Sequence, residues 1–559
     1  MGLKLRTLFA LFLFSSVSFL HAAPTLRVVT TAVGPIPVPT GGTAPPQTVE
    51  AFNAGDGSLS LTATVSSSAS WLTATVGSSR TCTQTTLAAS CIPLQFTLNT
   101  STLAAGTYTG VVTLTAGSTT IDAPQTITVT VRVGAVEVYV APGKTVDLPV
   151  TFGHLVTPSV NTQDGNRWLS LALQGSGSFR FIFPYNVHIA PVDGMGPGNY
   201  TGNIITSGSS VSTENVNIPV TMHLTTQPIA QAAPAAINLR LAQGAPPLVY
   251  PFDPSVGLIN TGQGTLTTGN IAVSGGPWIK VDPLGPSFIS IDPTGLSPGN
   301  NTGTVTIDSN AVNGQQKIPV NLEIVAKGNP LIYYQGVLDN VTSVPGDAVS
   351  QGDVSIVKGE QLSFSPYTPA PSYPLTTTLG GTTVLVNGVA APLYYTSYAQ
   401  VAFQMPYETP AGTAQVQVKR DDGTISNTVT VSVVAHAPRL LAVFNQNGSV
   451  NLPDGSTPTH RGEVIVIYAF GLGPTNPSVV SGAPAPGDIL AQVADPLFVS
   501  FGDSLFGANV MPAFAGLTPT FAGVYQINVV VPDAVPNGPV NLSVGYSETR
   551  SNAITIYVQ

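Results

Sequence analysis

The sequence predicts an all-β chain, a tandem array of about five β-sandwich modules. Three observations carry that expectation. A glycine turn feeding an alternating strand occurs three times, as Gly106-Thr107-Tyr108-Thr109-Gly110, Gly198-Asn199-Tyr200-Thr201-Gly202 and Gly299-Asn300-Asn301-Thr302-Gly303. Glycine supplies the angles of a tight turn, and alternation places one strand face on a core. Next, 56 glycines and 49 prolines punctuate short runs rich in β-branched residues. Last, 559 residues exceed one sandwich and suit four or five domains.

Residues 1–23 read as a secretory signal peptide. Lys4 and Arg6 form the positive region, Leu8 to Leu20 the short apolar core, and Ala22 and Ala23 mark the vicinity of cleavage. The expected location is secreted or cell-surface/periplasmic, with no membrane span once the signal is removed. The exported chain carries 16 basic against 27 acidic residues, so it lacks the basic footprint a nucleic-acid partner needs. Only 8% of residues are charged, against about 25% in typical globular proteins. The surface must then be covered by Thr, Ser, Asn, Gln and Gly. The only cysteines, Cys82 and Cys91, are expected to form a disulfide in an oxidising compartment.

The first module spans 24–133, the second 134–226 and the third 237–326, with an Ala/Pro/Gln-rich linker expected at 227–236. Asn53-Ala54-Gly55-Asp56-Gly57 returns as Asn260-Thr261-Gly262-Gln263-Gly264, and Trp71 and Trp278 each lie 18 residues past the asparagine. Trp168 serves the second module. The tryptophans are expected in the module cores, given the area each buries. Each module closes on an alternating strand, Ile127 to Val133, Ile218 to Leu224 and Ile318 to Ile324. One face is apolar, and the other carries Thr, Arg, His, Asn or Glu. Pro219 and Pro319 lie near the strand starts, where a missing N–H is tolerated. The segment around Cys82 and Cys91 is longer than its counterpart in the third module and reads as a pinned insertion loop.

The tryptophan, the Gly-x-Tyr/Asn-Thr-Gly turn and the closing Ile-x-Val-x-Leu strand resemble the BACON family of bacterial immunoglobulin-like modules, over about residues 27–326. That resemblance implies an immunoglobulin-like fold in an exported protein, with carbohydrate or mucin binding as the suggested role.

Modules at 327–435 and 436–559 form a second repeat. Gln400-Val401-Ala402-Phe403-Gln404-Met405-Pro406 pairs with Gln526-Ile527-Asn528-Val529-Val530-Val531-Pro532, and Ser426-Asn427 with Ser551-Asn552. Gly359-Glu360 and Gly462-Glu463 are each expected to open a strand. With Leu379 to Gly388, Ala391-Pro392-Leu393-Tyr394-Tyr395 and Tyr468 to Pro474, this half resembles an uncharacterised C-terminal domain of exported soil-bacterial proteins, similar to TIG/IPT modules.

Catalysis is not expected. Gly502-Asp503-Ser504-Leu505 spells the GDSL esterase signature, but a nucleophilic serine needs a downstream base, and the last histidine, His460, precedes it. The strand-and-hairpin reading is favoured. The histidines after the signal, His154, His188, His223, His436 and His460, show no ligand spacing, so neither metal nor cofactor is expected. Asp421-Asp422-Gly423 and Pro453-Asp454-Gly455 read as turns. The candidate ligand platform is Tyr394, Tyr395 and Tyr398, beside Thr396, Ser397 and Gln400. Adjacent Tyr394 and Tyr395 should point to opposite faces, with Tyr398 extending one of them. The competing role for this stretch is packing between the last two modules. The expected function is non-catalytic binding and spacing outside the cell, with neutral polysaccharide or another surface protein as partner.

Overall fold

A computed structural model describes residues 24 and 26–559, apart from 39–42, 45, 54–57, 66–68, 86–87, 117–123, 154–156, 174–181, 211–214, 216, 249–253, 284, 286, 503–507 and 548. The signal peptide expected at residues 1–23 lies outside the described residues. Every regular element among those described is a β-strand. The chain is an all-β tandem array of immunoglobulin-like sandwiches.

The first three modules share one device. A strand near each module's start runs parallel to its closing strand: Ala32–Val38 beside Gln125–Val133, Val136–Val140 beside Asn217–Leu224, and Ile237–Ala242 beside Gln316–Val325. The glycine-turn strands, Gly106–Ala116, Gly198–Ser207 and Gly299–Ser309, flank the closing strand on its other side, antiparallel. The prolines fit this pairing. The parallel partner begins only at Val220 and at Val320, so Pro219 and Pro319 sit where no donor is required on that side.

The recurring glycines have a packing reason. A Cβ on Gly110 would lie 2.7 Å from both Ala69 and Leu72, and one on Gly303 would lie 2.7 Å from the Ser274 carbonyl and 3.2 Å from the Trp278 ring. The second glycine of the turn therefore lets the strand pass close to the tryptophan. The tyrosine between the glycines also has a fixed task. Tyr108 and Tyr200 donate to the carbonyls of Ala104 and Gly196, four residues back in each case. Trp71, Trp168 and Trp278 are all buried in their module cores. Cys82 and Cys91 are disulfide-bonded. Arg80–Thr81, next to this bridge, pairs with Ser90–Leu98.

Residues 227–236 are not a free linker. Ala230–Ala233 forms a strand against Gly257–Asn260 in the third module, and the Asn313 side chain bonds both the amide and the carbonyl of Ala230. Small alanines with an outside clamp make a usable edge strand, which composition alone does not reveal.

The last two modules repeat a second device. Ser426 Oγ accepts from the Val418 amide, and Ser551 Oγ does so from the Val544 amide. The next residue reaches across the sandwich: Asn427 bonds the amide and carbonyl of Ile332, and Asn552 those of Leu440. The Ser-Asn pair thus ties the last strand to the first. Gly359-Glu360 closes the strand Val354–Glu360 rather than opening one, whereas Glu463 precedes Val464–Phe470 as expected of an opening. The structural counterpart of Gly462-Glu463 is Gly352-Asp353, which directly precedes Val354–Glu360, so the two Gly-Glu dipeptides are not equivalent positions.

Two junctions are held by side chains. Between the third and fourth modules, Arg240 pairs with Glu360 at 2.9 Å and the Ala242 amide donates to the Tyr398 hydroxyl, while Arg420, only 4% exposed, holds the start of the fourth module by donating to the carbonyls of Gly328 and Gln361. Between the fourth and fifth, Gln404 accepts from the Gly482 amide at 2.6 Å, and Tyr407's amide donates to Ser481 Oγ.

Candidate functional site

The tyrosine platform expected from sequence does not form. The strand Leu393–Thr396 is bulged against Gln400–Gln404, between Leu393 and Tyr395. A bulge breaks strict side-chain alternation. Tyr394 and Tyr395 consequently pack against the same small cluster, Leu338, Ile356 and Ala402, instead of facing opposite ways. Tyr394 donates to the Ala522 carbonyl of the fifth module at 3.0 Å. Tyr395 accepts from Gln400 and leans on Tyr367, with ring centroids 5.6 Å apart. Tyr398 turns away altogether. It is 3% exposed, belongs to the third module's core, and its hydroxyl accepts from the Ala242 amide.

That reach of Tyr398 helps form a cleft. A cavity of about 400 Å³ lies where the third and fourth modules meet, with Val111, Thr113, Pro124 and Thr126 of the first module completing the wall. Its floor is the polar face of three neighbouring strands of the third module. Register sets two rows across them: Arg240, Glu323 and Asn300, then Asn238, Asn321 and Thr302. The rows follow from alternation: Ile318, Val320, Leu322 and Ile324 point inward, so Asn321 and Glu323 point out. Asn321 Nδ2 donates to Asn238 Oδ1 at 3.0 Å. One amide group of Asn238 and one carbonyl of Asn321 then remain to address the cleft.

The opposite wall is the fourth module, with Tyr333, Lys358, Glu360, Tyr367 and Gln400. Charge inside is largely balanced. Arg240 lies 2.9 Å from Glu360 and 3.4 Å from Glu323, and Tyr333 donates to Glu360 at 3.3 Å. Burial pushes the Glu360 carboxyl up, against the opposing pull of Arg240. Burial, together with Glu360's charge, raises the Tyr333 hydroxyl far above its usual value, so it stays a neutral donor. The cleft offers aromatic faces, amides and hydroxyls around a mutually neutralising charge cluster.

Sequence reasoning missed Tyr333, Tyr367, Asn238, Asn321, Arg240 and Glu360. The outward residues of the closing strand were visible as a polar face. Nothing in one sequence says that another module packs over it.

The other candidates are placed as follows. Val499, Ser500 and Phe501 pair antiparallel with Val510, Asn509 and Ala508; Asp503, Ser504 and Leu505 lie outside the described residues. His154 also lies outside them. His188 pairs with Asp147 at 2.8 Å, and His223 bonds Asn199 and stacks on Tyr139. His436 sits between Asp495 and the Leu472 carbonyl, and His460 lies beside Glu463. Asp422 and Asp454 accept the amides of Thr424 and Ser456, two residues on, in the manner of Asx turns. Glu50, Cys82 and Cys91 lie close together. The Glu50 carboxylate is already occupied by Thr83, Gln84 and Arg80. No helix among the described residues is long and apolar enough to cross a membrane.

No protein-family model matches the sequence, and no curated protein matches it. Among solved structures, the chain is similar to the human desmocollin-1 ectodomain at 10% identity, covering 74% of this chain and 79% of that one, with a TM-score of 0.15. It is similar to the extracellular domain of protocadherin GammaB4 at 12% identity, covering 96% and 84%, with a TM-score of 0.15. It is also similar to an endo-fucoidan hydrolase of glycoside hydrolase family 107 at 13% identity, covering 52% of this chain and 43% of that one, with a TM-score of 0.15. The chain thus spans less than half the length of that hydrolase. Likenesses this distant carry no argument about activity.

Proposed function

We propose that this is an exported, non-catalytic binding and spacing protein, and that its ligand is a neutral polysaccharide held in the cleft between the third and fourth modules. The cleft's composition is the observation that supports the reading. Sugar CH faces stack on rings such as Tyr367, while sugar hydroxyls exchange hydrogen bonds with Asn238, Asn321 and Thr302. A charged glycan would meet Arg240 already neutralised by Glu323 and Glu360. The remaining modules act as spacers, and residues 1–23 direct export. On the resemblances above, the first three modules are BACON-like and the last two TIG-like.

A glycan array with the full-length secreted chain tests the reading. Neutral glycans should be retained, and Asn321→Ala should lower retention while the fold is kept. Exclusive retention of sulfated or uronic-acid glycans, or of none, would contradict it.

A further inference from the structure

The joint between the fourth and fifth modules contains a buried acid that no hydrogen bond accounts for. Asp353 is 0% exposed, and neither carboxylate oxygen has a well-formed hydrogen bond; the amides of Ser350 and Val354 approach it and offset its burial only in part. Ser355 Oγ, also on a fully buried residue, is unpartnered two residues along, in the strand Val354–Glu360. Opposite Ser355 stands Asp339. Its carboxylate is fully engaged by the amides of Val341 and Thr342, the Thr342 hydroxyl, and Arg439 at 3.4 Å. Arg439 also reaches Asp347 at 3.2 Å. The local cation is therefore committed to two other carboxylates. A charge on Asp353 would be dry, unpaired and beside an ionised neighbour.

This acid is one peptide away from the joint. Gly352 gives its carbonyl to Gln404 Nε2, and the same amide side chain takes the Gly482 amide of the fifth module. A Cβ on Gly352 would lie 2.0 Å from the Tyr407 ring, whose hydroxyl meets that of Tyr525 in the fifth module at 3.3 Å. Arg439 belongs to the fifth module's first strand, Arg439–Phe444.

We propose that this joint is proton-gated: uncharged Asp353 lets the two modules dock, and its ionisation loosens them. The ionised carboxylate must draw in water or pull Arg439 from Asp339 and Asp347, and either movement disturbs the Gln404–Gly482 and Tyr407–Tyr525 contacts. Burial first, then the charge of Asp339, pushes the Asp353 carboxyl up to about 8 against the pull of Arg439, which places the change just above neutrality. The other titratable groups facing it, Tyr394, Tyr407 and Tyr525, are held above their usual range by burial and remain neutral there.

The test is a distance measurement on the full chain. Spin labels on Val389→Cys and Ile489→Cys, exposed positions in the two modules, report the joint from about pH 6.5 to about pH 9.5. A narrow distance distribution at the acid end should broaden above about pH 8, and Asp353→Asn should stay narrow throughout. A wild-type distribution that stays narrow at every pH overturns the proposal, even if Asp353→Asn does not fold. Equal broadening in both chains also overturns it.

Discussion

Tyr398 shows how little a residue's neighbours in sequence say about its surroundings. It lies in a stretch rich in tyrosine and polar residues, yet its ring fills the third module's core and its hydroxyl caps Ala242. Tyr398→Ala should destabilise the chain by about 3–5 kcal/mol, the usual cost of deleting a buried aromatic, as measured by denaturant unfolding. Tyr394→Phe should cost only about 1 kcal/mol, because it removes one hydrogen bond and keeps the packing. Asp353 makes a pH prediction of opposite sign to that of a paired carboxylate. Its folded value, about 8, lies above its unfolded value near 3.8, so the folded state holds a proton that the unfolded chain releases. Stability contributed by this proton is complete below the unfolded value and falls as pH rises through the window to about 8, at up to roughly 1.4 kcal/mol per unit. Asp353→Asn should flatten that slope in urea titrations between about pH 5 and about pH 8. An unchanged slope would assign it elsewhere.

At the scale of elements, alternation made the strands legible, and repetition made the modules legible. The Gly-x-x-x-Gly turns, the closing strands and the Ser-Asn pairs recur because each does a fixed physical job in every copy. Gly303→Ala should cost roughly 1–3 kcal/mol, since the added carbon meets the Ser274 carbonyl at 2.7 Å. Gly388, which has open space around it, tests only its positive φ of 81°. A larger loss at Gly388 would undo the packing explanation. What stayed illegible was irregularity. The bulge beside Tyr395 reversed an expected orientation, and Ala230–Ala233 hid an edge strand in linker-like composition. Both depend on partners distant in sequence, which local pattern does not encode. The Cys82–Cys91 bridge closes a short loop, and its reduction should cost about 2–3 kcal/mol in the chain-entropy account.

The whole molecule adds what no single module holds. The cleft exists because Arg240 reaches Glu360 and Tyr398 reaches Ala242, both across a module boundary. Its floor residues were readable as a polar strand face, whereas its far wall required the packed array. The most direct measurement is titration calorimetry of the intact chain with a neutral oligosaccharide selected on the array, repeated with Tyr367→Ala and Asn321→Ala. Binding by the wild type, with affinity lowered at least about tenfold in each variant at unchanged melting temperature, is the predicted result, a loss of about 1.4 kcal/mol. Full affinity in both variants would place the ligand elsewhere and contradict the account.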